Sequence, residues 1–193
     1  GGMGAVSPSP YLTEPLLERI HAEVVTPVLH QLQKEKISYR GALFIGLMID
    51  EEGTPYVLEF NARFGDPETQ SILLRLESDF VSMLHHTALG TLRQMEPVLW
   101  SNEPSLYVVA SAEGYPSVPR TGDAISFPQT LPNGVTLFFS GVAGKDGALV
   151  TQGGRVLGLG TKQTSIEECR KVLYGALEQI HWQGMHFRTD IGQ

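Results

Sequence analysis

The chain has 193 residues, of which 41% are hydrophobic and 18% charged, a composition typical of a globular protein with a sizeable core. Its 14 basic and 21 acidic residues give a net charge of −7, which disfavours a general nucleic-acid-binding surface. No apolar run approaches the ~20 residues of a membrane span. The single cysteine, Cys169, excludes an internal disulfide and favours a cytoplasmic location.

The first predicted element is a long helix. Thr13 can cap it, and apolar residues recur every four positions from Leu16 to Leu32. Pro27 lies inside this pattern, which predicts a kink or break near Val25 because proline has no backbone N–H to donate.

A β-hairpin is predicted next. The apolar run at residues 42–49 predicts a strand buried on both faces, and residues 56–61 predict an antiparallel partner strand. Residues 63–70 are polar and contain glycine and proline, which predicts a loop without regular structure. A helix then follows over residues 79–89, capped by Ser78 or Asp79.

The second half of the chain predicts short strands separated by turns, and one helix. Gly153 and Gly154 predict a hairpin turn, and the capping box at residues 165–168 predicts a helix to about residue 180. The predicted strands cover residues 106–112, 124–127, 135–142, 148–152 and 155–160. This mixture of antiparallel strands and separate helices predicts an α+β fold.

The strongest candidate site lies on the strand at residues 56–61. Side chains alternate faces along a strand, so Glu59 and Asn61 point to the same side. A carboxylate and an amide oxygen are suitable ligands for Mg²⁺. Arg63 continues the alternation and could stabilise an anion such as a transferring phosphoryl group. The alternative is a solvated strand face with no ligand.

Two further segments are candidates for binding substrate or phosphate. The loop at residues 63–70 carries Asp66 and Glu68, which either position a ligand or form a surface turn with a salt bridge. Gly1, Gly2, Met3 and Gly4 could offer backbone N–H groups to a phosphate, as glycine-rich loops do.

Longer motifs carry a family resemblance along the whole chain. They are GGMGA (1–5), YRGALFIGLMI (39–49), LEFNARFGDPETQ (58–70), LRLESDF (74–80), GYP (114–116), RTGD (120–123), TQGGRVLGL (151–159) and RTDIG (188–192). In this collinear order the chain resembles the phosphoribosylamine–glycine ligase family of the ATP-grasp superfamily. The resemblance implies the second half of an ATP-grasp lobe over residues 1–95, followed by a small C-terminal α+β domain over residues 96–193.

The same resemblance implies a reaction. Members join glycine to 5-phosphoribosylamine, with cleavage of ATP to ADP and phosphate, in purine biosynthesis. Glycyl phosphate would be the intermediate, and glycinamide ribonucleotide the product. By this resemblance Glu59 and Asn61 are ligands of Mg²⁺ (or Mn²⁺), Arg63 is catalytic, and ATP is a co-substrate.

The resemblance also implies that this chain is a partial one, inactive without an N-terminal half of the same polypeptide. It departs from the family at Val6, where tyrosine is common, and at Glu77, where lysine is common. Residues 42–49 also lack an acidic metal ligand that many ATP-grasp enzymes have. Three alternatives remain open: another ATP-grasp carboxylate–amine ligase, a biotin-carboxylase-like enzyme, or a non-catalytic module of that fold.

Overall fold

The computed structural model describes residues 2–193 and contains five α-helices and eight strands over that range. The α-helices are α1 (Glu14–Ile20), α2 (Thr26–Lys34), α3 (Glu68–Arg75), α4 (Phe80–Leu89) and α5 (Ile166–Leu177). The strands are β1 (Gly4–Ser7), β2 (Phe44–Ile49), β3 (Pro55–Asn61), β4 (Ser105–Ser111), β5 (Val135–Phe139), β6 (Val142–Lys145), β7 (Ala148–Thr151) and β8 (Arg155–Lys162). The α+β class is confirmed.

Contacts divide the chain into two compact units, each built from separate stretches of sequence. Among the described residues, the first, here called the sheet unit, comprises residues 2–8, 66–76 and 100–193; the second, the hairpin unit, comprises residues 9–65 and 77–99. A single boundary between residues 95 and 96 does not describe this division, because two early segments belong with the C-terminal part. That boundary stays a prediction about domains of the family.

The sheet unit is organised around a four-stranded antiparallel sheet in the order β1-β4-β8-β5. β4 is buried along its whole length, and one of its faces packs with α5 in the main core, together with residues such as Leu157, Leu173 and Trp182. The α5 cap was predicted: the Ser165 hydroxyl accepts a hydrogen bond from the backbone N–H of Glu168.

On the other face of this sheet, the aromatic residues Tyr107 and Phe138 lie beside two glycines of β8. The Tyr107 side chain lies over Gly158 and Gly160, and Leu74 of α3 also approaches Gly160. The Tyr107 and Phe138 rings meet edge to face with centroids 5.5 Å apart. Small residues on β8 therefore leave room for the tyrosine ring and for α3.

In the hairpin unit, the predicted long helix is interrupted where expected. The Thr13 hydroxyl caps α1, and a π-helical turn over His21–Val25 separates α1 from α2. Thr26 N–H bonds to the His21 carbonyl, five residues back, and Pro27 lies in the first turn of α2. The predicted break is therefore a π-helical turn that ends just before Pro27. A new helix can begin there because proline is tolerated in the first turn of a helix.

β2 and β3 form the predicted antiparallel hairpin, but its expected burial is wrong. Met48 is 56% exposed and Leu58 is 63% exposed, and no residue of either strand is buried. The sheet has only two strands, and the burial is uneven: most of β2 is half-buried, whereas β3 is exposed from Tyr56 to Phe60. Val24 is the only hydrophobic side chain among residues 9–65 and 77–99 that is buried.

Three other local predictions are wrong. Residues 68–70 begin α3 and are not a loop. Gly153 and Gly154 do not join a hairpin, because β7 pairs with β6 and β8 pairs with β4 and β5. Residues 124–127 make two isolated bridges and not a strand. In each case contacts with distant residues outweigh the local pattern.

Across residues 2–193, every helix is too short or too polar to cross a membrane.

Candidate functional site

The register of the hairpin places Glu59 and Asn61 on one face of β3, as predicted. Glu59 pairs with Gly46 and Asn61 pairs with Phe44, with one regular pair between them. Just before Glu59 the register shifts, and Leu58 is left as a bulge residue with no partner. Bulges bend a strand and redirect its side chains, so the chain geometry changes at the start of this candidate site.

Gly46 provides space for the Glu59 side chain. A Cβ atom at position 46 would lie 3.1 Å from Glu59 Cγ, closer than ordinary van der Waals contact. The stem of Glu59 therefore crosses the hairpin above a residue without a side chain. Glu59 itself is exposed and Asn61 is half-buried, so the two side chains form a polar strip at the end of β3.

The donor set fits a hard divalent cation in type, but it is small. Glu59 supplies a carboxylate and Asn61 an amide, whose Nδ2 is buried without a hydrogen-bond partner among the described residues. Nothing in residues 2–193 groups three or more histidine, cysteine or acidic side chains suitably for a metal. A cation held here would need further oxygen ligands, and Mg²⁺ commonly takes these from water and nucleotide phosphates.

Arg63 lies just beyond the end of β3, in a bend, so the strand alternation used to orient it does not extend that far. Its guanidinium donates to the Phe64 carbonyl at 2.8 Å and the residue is exposed. The Phe64 ring meets Phe80 of α4 edge to face, with centroids 5.6 Å apart. This contact anchors the backbone next to Arg63 on α4.

Asp66 and Glu68 lie in the sheet unit, at the turn into α3. The Asp66 carboxylate is bound at both oxygens: Oδ2 accepts from Arg155 at 2.6 Å and Oδ1 accepts from Gln70 at 3.0 Å. Glu68 is half-buried in the first turn of α3, where a negative charge is favourable. The loop does contain a salt bridge, with a partner 89 residues away.

Gly1 lies outside the described residues, and the other members of the glycine-rich segment are packed. A Cβ at Gly2 would lie 2.7 Å from Pro67 Cδ, and one at Gly4 would lie 2.6 Å from the Tyr107 carbonyl oxygen. The Met3 carbonyl accepts from Val109 N–H, and Gly4 begins β1 instead of lying in a loop. Close packing accounts for both described glycines, and phosphate binding by this segment stays a prediction.

Sequence reasoning missed two residues beside Asp66. The first is Arg155, which begins β8 and donates to the Asp66 carbonyl. The second is Tyr107, whose pKa is raised to about 12 by burial and by the nearby Asp66 charge. Tyr107 is 2% exposed and stays neutral at physiological pH. The only sequence signal for Arg155 was its place in the motif at residues 151–159, which gave no contact partner.

The fold is that of the ATP-grasp enzymes. Biotin carboxylase from Campylobacter jejuni superimposes with a TM-score of 0.68 over 98% of this chain and 41% of that chain. At 16% identity, this likeness concerns the fold alone. The model of the phosphoribosylglycinamide synthetase ATP-grasp (A) domain matches residues 1–69, and the model of the C domain of the same synthetase matches residues 105–193.

Full-length relatives narrow this class to one family. Phosphoribosylamine–glycine ligase from Ralstonia nicotianae is 44% identical over the whole chain, and the enzyme from Vibrio vulnificus is 42% identical. The crystal structure of phosphoribosylamine–glycine ligase from Thermotoga maritima matches with a TM-score of 0.84 and 39% identity, over 98% of this chain and 46% of that one. The chain belongs to the phosphoribosylamine–glycine ligase family. It spans about 45% of the length of the curated relatives.

Proposed function

We propose that this chain is part of a cytoplasmic ligase that joins glycine to 5-phosphoribosylamine at the expense of ATP. The products are glycinamide ribonucleotide, ADP and phosphate, in purine biosynthesis. The observation that carries the proposal is the Glu59–Asn61 face of β3, with room for the glutamate above Gly46, in a chain of this family. It is a pair of oxygen donors of the kind that a nucleotide-bound cation requires.

In this reaction a glycine carboxylate oxygen attacks the γ-phosphorus of ATP, which forms glycyl phosphate and releases ADP. The amine of phosphoribosylamine then attacks the glycyl carbonyl carbon, loses a proton and displaces phosphate. Glu59 and Asn61 would hold Mg²⁺ (or Mn²⁺), which neutralises phosphate charge when bound. Arg63 carries a permanent positive charge and would stabilise the charge on the phosphoryl group as it transfers.

The turn into α3 and the glycine-rich segment carry binding groups of opposite kind, carboxylates in the first and backbone N–H groups in the second. Asp66 and Glu68 are anionic and therefore suit a substrate amine better than a phosphate. Backbone N–H groups of Gly1, Gly2, Met3 and Gly4 would suit a phosphate. We assign substrate and phosphate binding to these two segments on that basis.

The test uses the full-length protein that contains this chain. Release of ADP should require both glycine and phosphoribosylamine, and glycinamide ribonucleotide should accumulate in equal amount. ADP release that requires bicarbonate would instead identify a biotin-carboxylase-like enzyme. Absence of ADP release with either set of substrates would favour a non-catalytic module and refute the proposal.

The 193-residue chain by itself should form no glycinamide ribonucleotide and should bind Mg·ATP weakly. β3, which carries Glu59, is exposed on both faces, and two protein donors leave most of a Mg²⁺ coordination shell to other ligands. Calorimetric titration with Mg·ATP measures this directly. Micromolar binding would show that the chain already contains a complete nucleotide site; addition of the remaining N-terminal portion in trans tests whether the two parts complement each other.

A further inference from the structure

Arg155 connects the two segments of the sheet unit that were assigned separately to ligand binding. Its Nη1 donates to the Asp66 carbonyl at 3.1 Å and to the Gly2 carbonyl at 3.4 Å, while its Nη2 bonds the Asp66 carboxylate at 2.6 Å. One guanidinium at the start of β8 thus contacts both the turn before α3 and the glycine-rich segment before β1.

The contact between these two segments is close as well as polar. Gly2 lies against the ring of Pro67, with no space for a side chain between them. Pro67 is buried, and proline has a fixed φ angle, so this part of the turn has little freedom to adjust. The guanidinium and the ring contact therefore fix the same two stretches of backbone.

The Asp66 carboxylate is oriented without being enclosed. Arg155 binds one oxygen and Gln70 the other, yet the Asp66 side chain remains 46% exposed, while that of Arg155 is only 22% exposed. A carboxylate can accept about four hydrogen bonds, so both oxygens keep capacity for a ligand. Asp66 is thus presented to solvent in one orientation, as a preorganised ligand-binding group requires.

We infer that Arg155 is a positioning residue, which holds Asp66 and the Gly2 backbone in the geometry needed to bind substrate. This inference rests on the proposed function, because it takes Asp66 as a group that contacts substrate. Lysine cannot replace this arginine fully, because the Arg155 guanidinium makes three contacts from two nitrogens and an ammonium group is a single point of charge.

The experiment compares Arg155→Gln and Arg155→Lys with wild type in the full-length protein. Arg188→Gln is the matched control: it removes another guanidinium–carboxylate pair of the sheet unit, the exposed pair with Asp190. Two quantities are measured: kcat and KM for each substrate, and hydrogen exchange of the backbone amides at residues 2–4, 66–70 and in β4.

For Arg155→Gln we expect at least tenfold faster exchange at residues 2–4 and 66–70, with exchange in β4 unchanged. The same variant should lose roughly 100-fold in kcat/KM for glycine, with an unchanged KM for ATP, because a displacement of about 1 Å can have that effect. Arg155→Lys should recover part of both losses. Arg188→Gln should stay within twofold of wild type.

Exchange that stays at the wild-type rate in Arg155→Gln would overturn the inference, as would kcat/KM within twofold of wild type. Faster exchange throughout the sheet unit, including β4, would also overturn it, because Arg155 would then be a general stability residue. If wild-type full-length protein releases no ADP with glycine, the proposed function fails; the exchange pattern then decides by itself whether Arg155 holds the two segments.

Discussion

Gly158→Ala should destabilise the sheet unit, because a methyl group at position 158 would occupy the space of the Tyr107 side chain. The added Cβ would lie 2.2 Å from Tyr107 Oη and 2.3 Å from Cζ. Real Cβ atoms essentially never approach other heavy atoms within 3.0 Å, so the ring must move. Tyr107 is 2% exposed and packs against Phe138, so no free space receives it.

The size of the effect follows from two opposing contributions. Overpacking of a core position typically costs about 1–3 kcal/mol. Replacement of glycine by alanine restricts the unfolded chain and offsets about 0.4–1 kcal/mol of this cost where the native backbone allows alanine. We expect a net loss of about 1–2 kcal/mol in the free energy of unfolding, which corresponds to a decrease in Tm of roughly 2–8 °C for a chain of this size.

Urea denaturation followed by tryptophan fluorescence provides the assay. Trp182 is 1% exposed in the core of the sheet unit, and a Trp100→Phe background makes it the only tryptophan. Gly175→Ala is the matched control. Gly175 lies in α5 with nothing within 4 Å of a new Cβ, so alanine there should stabilise the chain by about 0.5–1 kcal/mol.

A Gly158→Ala chain as stable as wild type would refute the proposed packing of Tyr107. A second variant separates the clash from other effects of the substitution. Tyr107→Leu removes the hydroxyl and most of the ring, so the double variant should lose less stability than the sum of the two single variants. Additive losses would contradict direct contact between the two side chains.

The Glu59→Gln variant of the full-length protein should lose most activity with an unchanged circular dichroism spectrum. The Asn61→Asp variant should lose less activity, because aspartate keeps an oxygen donor. Normal turnover with normal magnesium dependence in Glu59→Gln would rule out the metal assignment. Arg63→Ala should lower kcat by roughly 100- to 1000-fold, equivalent to about 2.7–4 kcal/mol, with a smaller change in apparent ATP affinity. An unchanged kcat with weaker ATP binding would assign Arg63 to docking alone. Cys169 is buried, and burial raises the pKa of its thiol, so less thiolate is present at a given pH. Iodoacetamide at pH 8 should therefore label Cys169 slowly in the native chain and rapidly in urea, and equal rates would show that the α5 packing is open.

Local sequence patterns predicted the features that depend on neighbouring residues. The hydroxyl or carboxylate of Thr13, Asp79 and Ser165 each accepts a hydrogen bond from a backbone N–H three residues later, as the capping patterns required. The shared face of Glu59 and Asn61 follows from strand alternation over two residues. These features were predictable because helix capping and alternation are set within a few residues.

Packing between distant segments was beyond these patterns. The Arg155–Asp66 pair joins residues 89 positions apart, and β1 pairs with β4 a hundred residues later along the chain. Many distant polar residues could pair with Asp66 in principle, and only the fold brings Arg155 to it. The same holds for Gly158, whose lack of a side chain has a reason only once Tyr107 lies across it.

By itself, the sequence determined the α+β class, the family resemblance and the shared face of Glu59 and Asn61 on β3, since each follows from motifs or patterns of neighbouring residues. Only the tertiary structure decided that α3 begins at Glu68, that Gly2 lies against Pro67, and that the apolar strand at residues 44–49 is only half-buried, with Met48 exposed. Hydrophobicity indicates that a segment can be buried. Whether it is buried depends on which other segments pack against it, and that is a property of the assembled fold.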